Sequence, residues 1–188
     1  MKRIGILGEI GSGKSFVAKK FQFPVFDADY VVGKLYREDK KIFYKLKKIL
    51  PNYFNKFPIE KNVVTNAILD NKKNLKKIIF IVHTEVKKKL IQFLKKNKNK
   101  KIVILDIPLL LENKLNKKKD ILVFVQSNRT EILKKLKKRK NINFKLINKF
   151  KNIQLPIDYK KKKSNFLIKN DFKKGTVEKY VKYILNNI

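Results

Sequence analysis

The chain contains no cysteine and no tryptophan, and a single histidine, His83, among 188 residues. The first absence excludes disulfides and thiolate metal sites; one histidine excludes a histidine-rich metal centre. Long apolar runs are also missing. Stretches such as Ile78–Val82 fall far short of the ~20 residues that a membrane-spanning helix needs, and no membrane partner is expected. Gly5 and Gly8 interrupt the N-terminal apolar residues, which do not resemble the core of a signal peptide. A cytoplasmic protein is therefore the expectation. No stretch rich in Pro, Gly or Ser divides the sequence, and the 43% of hydrophobic residues can build a real core.

Acids are scarce as well. Fifteen Asp and Glu stand against 49 Lys and Arg, a formal charge of +34. Such a charge suits a polyanion partner, but the lysines are spread through nearly every helical segment instead of forming one stripe. Asn, Ile and Phe, whose codons are rich in A and T, are abundant too, so a biased genome accounts for the composition. A nucleic-acid partner is not expected; the basic character suits phosphorylated substrates.

Half of the six glycines fall in Gly8-Glu9-Ile10-Gly11-Ser12-Gly13-Lys14-Ser15, which fits G-x-x-x-x-G-K-[ST], the P-loop pattern. Residues 3–7 before it read as a short buried strand and residues 14–21 after it as a helix. In such a loop backbone N–H groups line an anion-binding concavity. Lys14 can bridge the outer phosphates and the Ser15 hydroxyl can ligand Mg²⁺. Gly8, Gly11, Ser12, Gly13, Lys14, Ser15 and Phe16 are the expected ATP-binding residues.

Further along, Phe23–Phe26 reads as a second strand ending in Asp27-Ala28-Asp29. Carboxylates at that strand end are candidates for metal or base roles, and Asp29 also suits the N-cap of a helix over Tyr30–Tyr36. A basic amphipathic segment over 39–56, a helix over about 61–70 and a long helix over Asn74–Lys96 follow. In the last, Leu75, Ile79, Val82, Val86, Leu90 and Phe93 form one stripe with His83 beside it, an ordinary place for a structural histidine. Residues 101–106 form a strand whose terminal Asp106 could serve Mg²⁺ through water. The loop Ile107–Glu112 and a strand over Asp120–Gln126 come next. Thr130–Lys140 and 141–153 read as basic helices of a lid. After a break at Leu155-Pro156 come Asp158-Tyr159-Lys160, with no element assigned there. A strand over Ser164–Ile168 and a helix over Gly175–Asn187 close the chain. The β–α alternation predicts a P-loop NTPase-type three-layer α/β/α fold with a parallel sheet. Its core is expected at 1–30, 98–129 and 161–188, with a helical insertion at about 31–97 and a helical lid at about 130–160. The loop by itself leaves open another small-molecule kinase, such as one acting on nucleoside monophosphates, or a nucleic-acid-binding NTPase.

Taken in order, these features resemble the dephospho-CoA kinase family. The P-loop, Asp27-Ala28-Asp29, Pro108-Leu109-Leu110-Leu111-Glu112, Gln154-Leu155-Pro156 and Ile168-Lys169-Asn170 match its motifs from residue 4 to about 170. The resemblance implies ATP-dependent phosphorylation of the ribose 3′-hydroxyl of dephospho-CoA, the last step of coenzyme A synthesis, and a CoA-binding role for the helical insertion. It implies that Asp29 orients and deprotonates the hydroxyl, that Arg139 is the lid cation, and that Lys61, His83, Leu109, Gln154 and Lys160 or Lys161 help bind the substrate. The sequence departs from the family at Glu9, usually glycine, at Thr84, usually proline, and at Lys61 and Lys135, usually arginine. Lysine keeps the charge there but loses the two-pronged grip.

Overall fold

The computed structural model describes residues 1–139 and 142–188; Lys140, expected in the first lid helix, lies outside the described residues. The elements run β1 (Lys2–Gly8), α1 (Lys14–Lys20), β2 (Val25–Asp27), α2 (Ala28–Glu38), α3 (Lys40–Ile49), α4 (Lys61–Asp70), α5 (Lys72–Lys96), β3 (Ile102–Asp106), β4 (Ile121–Gln126), α6 (Arg129–Lys137), α7 (Phe144–Lys151), α8 (Ile157–Lys163), β5 (Phe166–Lys169) and α9 (Lys174–Asn186). They divide into two compact units, one comprising Met1–Asp27 with Lys96–Ile188, the other Ala28–Lys95.

The first unit is built on a five-stranded sheet ordered β2-β3-β1-β4-β5. Every neighbouring pair is parallel, so all carboxyl ends share one edge, where ligands of open α/β sheets bind. The strands are apolar almost throughout because both faces are covered. Ile4, Ile6, Ile104, Val123, Val125 and Ile168 pack against Val17, Ala18 and Phe21 of α1 and Val177, Val181 and Ile184 of α9. On the other face α8 packs against β1 and β4, and Leu110 from the turns after β3 seats on Gly5.

Helix α8 forms where no element is expected from the sequence. Pro156 precedes it, Asp158 lies in its first turn and Lys160–Lys163 in its last, the charge order that suits a helix dipole. Below the sheet, Arg3 Nη2 meets Asp120 Oδ2 at 2.9 Å, with both side chains buried, and also donates to the Leu115 carbonyl at 3.0 Å. Burial raises the Asp120 carboxyl above its usual range, against the pull of Arg3.

The second unit is helical. Asp39 caps α3 by accepting from the Ile42 N–H at 3.1 Å. Buried Asn74 donates to the Ala67 carbonyl at 2.9 Å, joining the start of α5 to α4. The buried stripe of α5 runs Leu75, Ile78, Val82, Val86, Leu90; Ile79 and Phe93, expected in it, are half-buried. In α2 the helix starts at Ala28, so Asp29 lies within the first turn instead of capping it. A carboxylate there still favours the helix electrostatically.

A Cβ at Gly5 would stand 2.5 Å from Leu110 Cδ2 and 3.0 Å from Leu122 Cδ2. Gly5→Val is therefore expected to destabilise the protein by about 1–3 kcal/mol through overpacking, read by denaturant unfolding.

Candidate active site

Strand β1 ends at Gly8, and the chain turns through Glu9–Gly13 into α1. Gly13 takes a left-handed conformation with φ 87°, and a Cβ there would lie 2.4 Å from Asn170 Nδ2. At Gly11, with φ 88°, a Cβ would lie 2.9 Å from Ile132 Cγ2 and 3.0 Å from Leu136 Cγ of α6. Glycine is required at both positions by conformation and by space. The Ser12 N–H donates to the Glu9 carbonyl at 3.2 Å, closing the turn. Lys14 Nζ lies back over the loop, 2.7 Å from the Glu9 carbonyl and 3.2 Å from that of Gly8. An ammonium resting on neutral carbonyls can exchange them for phosphate oxygens, which bind it more strongly.

Two residues from elsewhere hold the loop's shape. Asn170, buried at the end of β5, donates through Nδ2 to the Ser12 carbonyl at 2.8 Å. Ser127, just after β4, donates its hydroxyl to the same oxygen at 2.9 Å. Asn170 Oδ1 in turn accepts from the Phe172 N–H at 2.9 Å, and Phe172 adopts φ 64°, in the left-handed region. Asp171 accepts from the Lys173 N–H and the Thr176 hydroxyl, both at 2.9 Å; the backbone bond from Lys173 leads in drawing its carboxyl below the usual range. Among the described residues the buried Ser12 hydroxyl has no hydrogen-bond partner.

Around the loop, Ser15 is exposed and Phe16 half-buried, with Lys20 Nζ 5.4 Å from the Phe16 ring centre. Asp106 is buried at the end of β3, in register with Asp27 at the end of β2. Among the described residues no group of three or more His, Cys, Asp or Glu could hold a metal alone. Ile132 and Leu136 bury one side of α6, while Lys134, Lys135, Lys137 and Arg139 are exposed. Lys135 Nζ lies 5.2 Å from the Phe172 ring centre.

Leu109 is buried in the turns after β3, and Gln154 is half-buried between α7 and α8. Lys160 is buried, its ammonium 2.6 Å from Glu112 Oε1, whereas Lys161 is half-buried with Nζ 5.9 Å from the Phe124 ring centre. Three other expected site residues belong to the helical unit. There Asp29 is exposed in the first turn of α2, Lys61 is exposed at the start of α4, and His83 is half-buried on α5. Ser127 had no sequence signal. Asn170 is legible in the sequence as the end of the Ile168-Lys169-Asn170 motif, but its bond to the Ser12 carbonyl is not.

Asn170→Ala leaves the Ser12 carbonyl one donor. Losing one buried partner costs about 1–3 kcal/mol, so the variant is expected to bind ATP about tenfold more weakly, measured by calorimetry.

Residues 2–175 match the sequence profile of the dephospho-CoA kinase family. The chain is 35% identical to a dephospho-CoA kinase of Wolbachia sp. subsp. Brugia malayi, with 98% of this chain and 97% of that protein covered. Its fold superposes on a crystal structure from Thermus thermophilus with a TM-score of 0.80 at 25% identity, covering 100% of this chain and 97% of that one. A dephospho-CoA kinase of Campylobacter jejuni shares the fold with a TM-score of 0.65 at 19% identity, over 99% and 96% of the two chains. A parallel sheet with a glycine cradle at its carboxyl edge is thus joined to a profile match along nearly the whole chain, and the chain belongs to the dephospho-CoA kinase family.

Proposed function

We propose that this kinase transfers the terminal phosphoryl group of ATP to the ribose 3′-hydroxyl of dephospho-CoA, with Asp29 orienting and deprotonating that hydroxyl. The observation that carries the nucleotide half is the glycine cradle with the Lys14 ammonium lying across it. Phosphoryl transfer asks for little covalent chemistry from the protein. It needs aligned reactants, neutralised charge and excluded water.

Backbone N–H groups of residues 11–15 and Lys14 hold the β- and γ-phosphates in this reading. Ser15 and Asp106 offer hard oxygen donors of the kind Mg²⁺ takes, alongside phosphate oxygens and water. The lack of a self-sufficient carboxylate cluster among the described residues suits an ion that arrives with the nucleotide. When bound, Mg²⁺ supplies neutralisation of the phosphate charge. Arg139, exposed just past α6, brings a cation to the transferred group on lid closure, with Lys135 as a single-pronged partner. Asp29 follows Asp27, the last residue of β2, by two positions. Asp29 is exposed in the first turn of α2, and in this reading its carboxylate takes the incoming alcohol. Lys61, His83, Leu109 and Gln154 are read as acceptor-binding residues on the family resemblance. Of the two lysines open from the sequence, Lys161 suits direct substrate contact, since Lys160 is committed to Glu112.

ATP consumption is expected only when dephospho-CoA is present, with nucleoside monophosphates inert in a panel of acceptors; turnover on the monophosphates instead would reverse the assignment. Asp29→Asn is expected to bind ATP within about twofold of wild type while kcat falls about 10²–10⁴-fold, the usual worth of a general base. Unchanged turnover in that variant removes Asp29 from its role. Lys14→Ala is expected to lose most activity in the same assay.

A further inference from the structure

We propose that the buried Glu112–Lys160 pair is a positioning device that locks the turns after β3 to the segment joining α7 and α8, and so sets the shape of the acceptor site. The proposal rests on the reading that Leu109 and Gln154 line that site.

A single carboxylate oxygen does the joining. Glu112 Oε1 accepts from Lys160 Nζ at 2.6 Å and from the Leu155 backbone N–H at 3.0 Å. The Lys160 and Glu112 side chains are only 4% and 9% exposed. Neither partner hangs on a loose arm. The Leu110 N–H donates to the Ile107 carbonyl and the Asn113 N–H to that of Leu109, both at 3.1 Å. Leu110, fully buried, seats against Gly5 of β1. On the far side, the Lys160 N–H donates to the Pro156 carbonyl at 3.1 Å, and the Gln154 N–H to that of Lys151 at 3.1 Å. Glu112 therefore connects a turn seated on the central strand to the start of α8, with Gln154 and α7 immediately before the joint.

Stability alone does not explain charges in this place. Desolvating a carboxylate and an ammonium costs several kcal/mol per ion, and two well-packed apolar side chains often serve stability as well or better. An apolar pair cannot accept the Leu155 N–H or fix its register. In a chain with only fifteen acids, this one is placed in the interior at a joint between two segments. Lys160 then acts through Glu112 and not on phosphate.

The test compares wild type with the double variant Glu112→Leu/Lys160→Met, which removes both buried charges and the acceptor for Leu155, and with Gln154→Ala and Leu109→Ala. KM for dephospho-CoA, KM for ATP, kcat and the thermal midpoint are measured for each. The double variant is expected to melt close to wild type while its KM for dephospho-CoA rises about tenfold, the scale of a small misplacement, and its KM for ATP stays within about twofold. Lys160→Arg, which retains the pair, is expected to behave as wild type. If the double variant does not fold, Glu112→Asp, which keeps the charge and shortens the reach, is expected to show the same KM split. Wild-type KM values for both substrates, or equal rises in both, overturn the positioning role while Gln154→Ala still weakens acceptor binding. If Gln154→Ala and Leu109→Ala both leave the dephospho-CoA KM unchanged, the acceptor-site reading fails and takes the proposal with it.

Discussion

The Ser12 carbonyl is where the phosphate cradle is tied to the rest of the sheet. A loop that turns its N–H groups toward an anion must direct carbonyls outward, and an outward carbonyl in the interior needs donors. Asn170 and Ser127 supply two, at 2.8 and 2.9 Å, from segments that follow β5 and β4. The close approach of Asn170 is also what denies a side chain to Gly13. Strand order, glycine placement and anion binding are thus one constraint. The parallel sheet brings the ends of β4 and β5 to the same edge as β1, and that shared edge lets distant residues shape the loop.

Charge is distributed in two ways. Most of the lysines that give the chain its +34 lie on solvated helix faces, such as the outer side of α6, where screening makes each worth little. A few ionic groups are interior and do structural work. Arg3 with Asp120 closes the amino end of the sheet, and Lys160 with Glu112 joins two segments on the face opposite α1. Each interior pair carries a further backbone partner, the Leu115 carbonyl for Arg3 and the Leu155 N–H for Glu112, which meets part of the bonding capacity that burial leaves at risk.

Much of the architecture was legible because it is written in short-range patterns. The helix over 61–70 is found as Lys61–Asp70, and the βαβ alternation yields the parallel sheet. Boundaries shifted where local cues were equivocal. Asp29 suits a cap for a helix from Tyr30, but the helix starts two residues earlier, at Ala28, leaving Asp29 inside the first turn. Helix α8 was hidden because Asp158-Tyr159-Lys160 carries no apolar periodicity; packing against β1 and β4 stabilises it instead.

The amino-acid sequence by itself determined the P-loop, the strand that precedes it, the family motifs and the exclusion of cysteine chemistry. Each depends on residue type or on spacings within a few positions. Only the tertiary structure decided which partner each polar residue takes. Asn170 meets Ser12 across 158 positions, and Glu112 meets Leu155 across 43. Local propensity is blind to such pairings, which arise because hydrophobic burial draws the strands into one sheet and every buried donor must then find an acceptor.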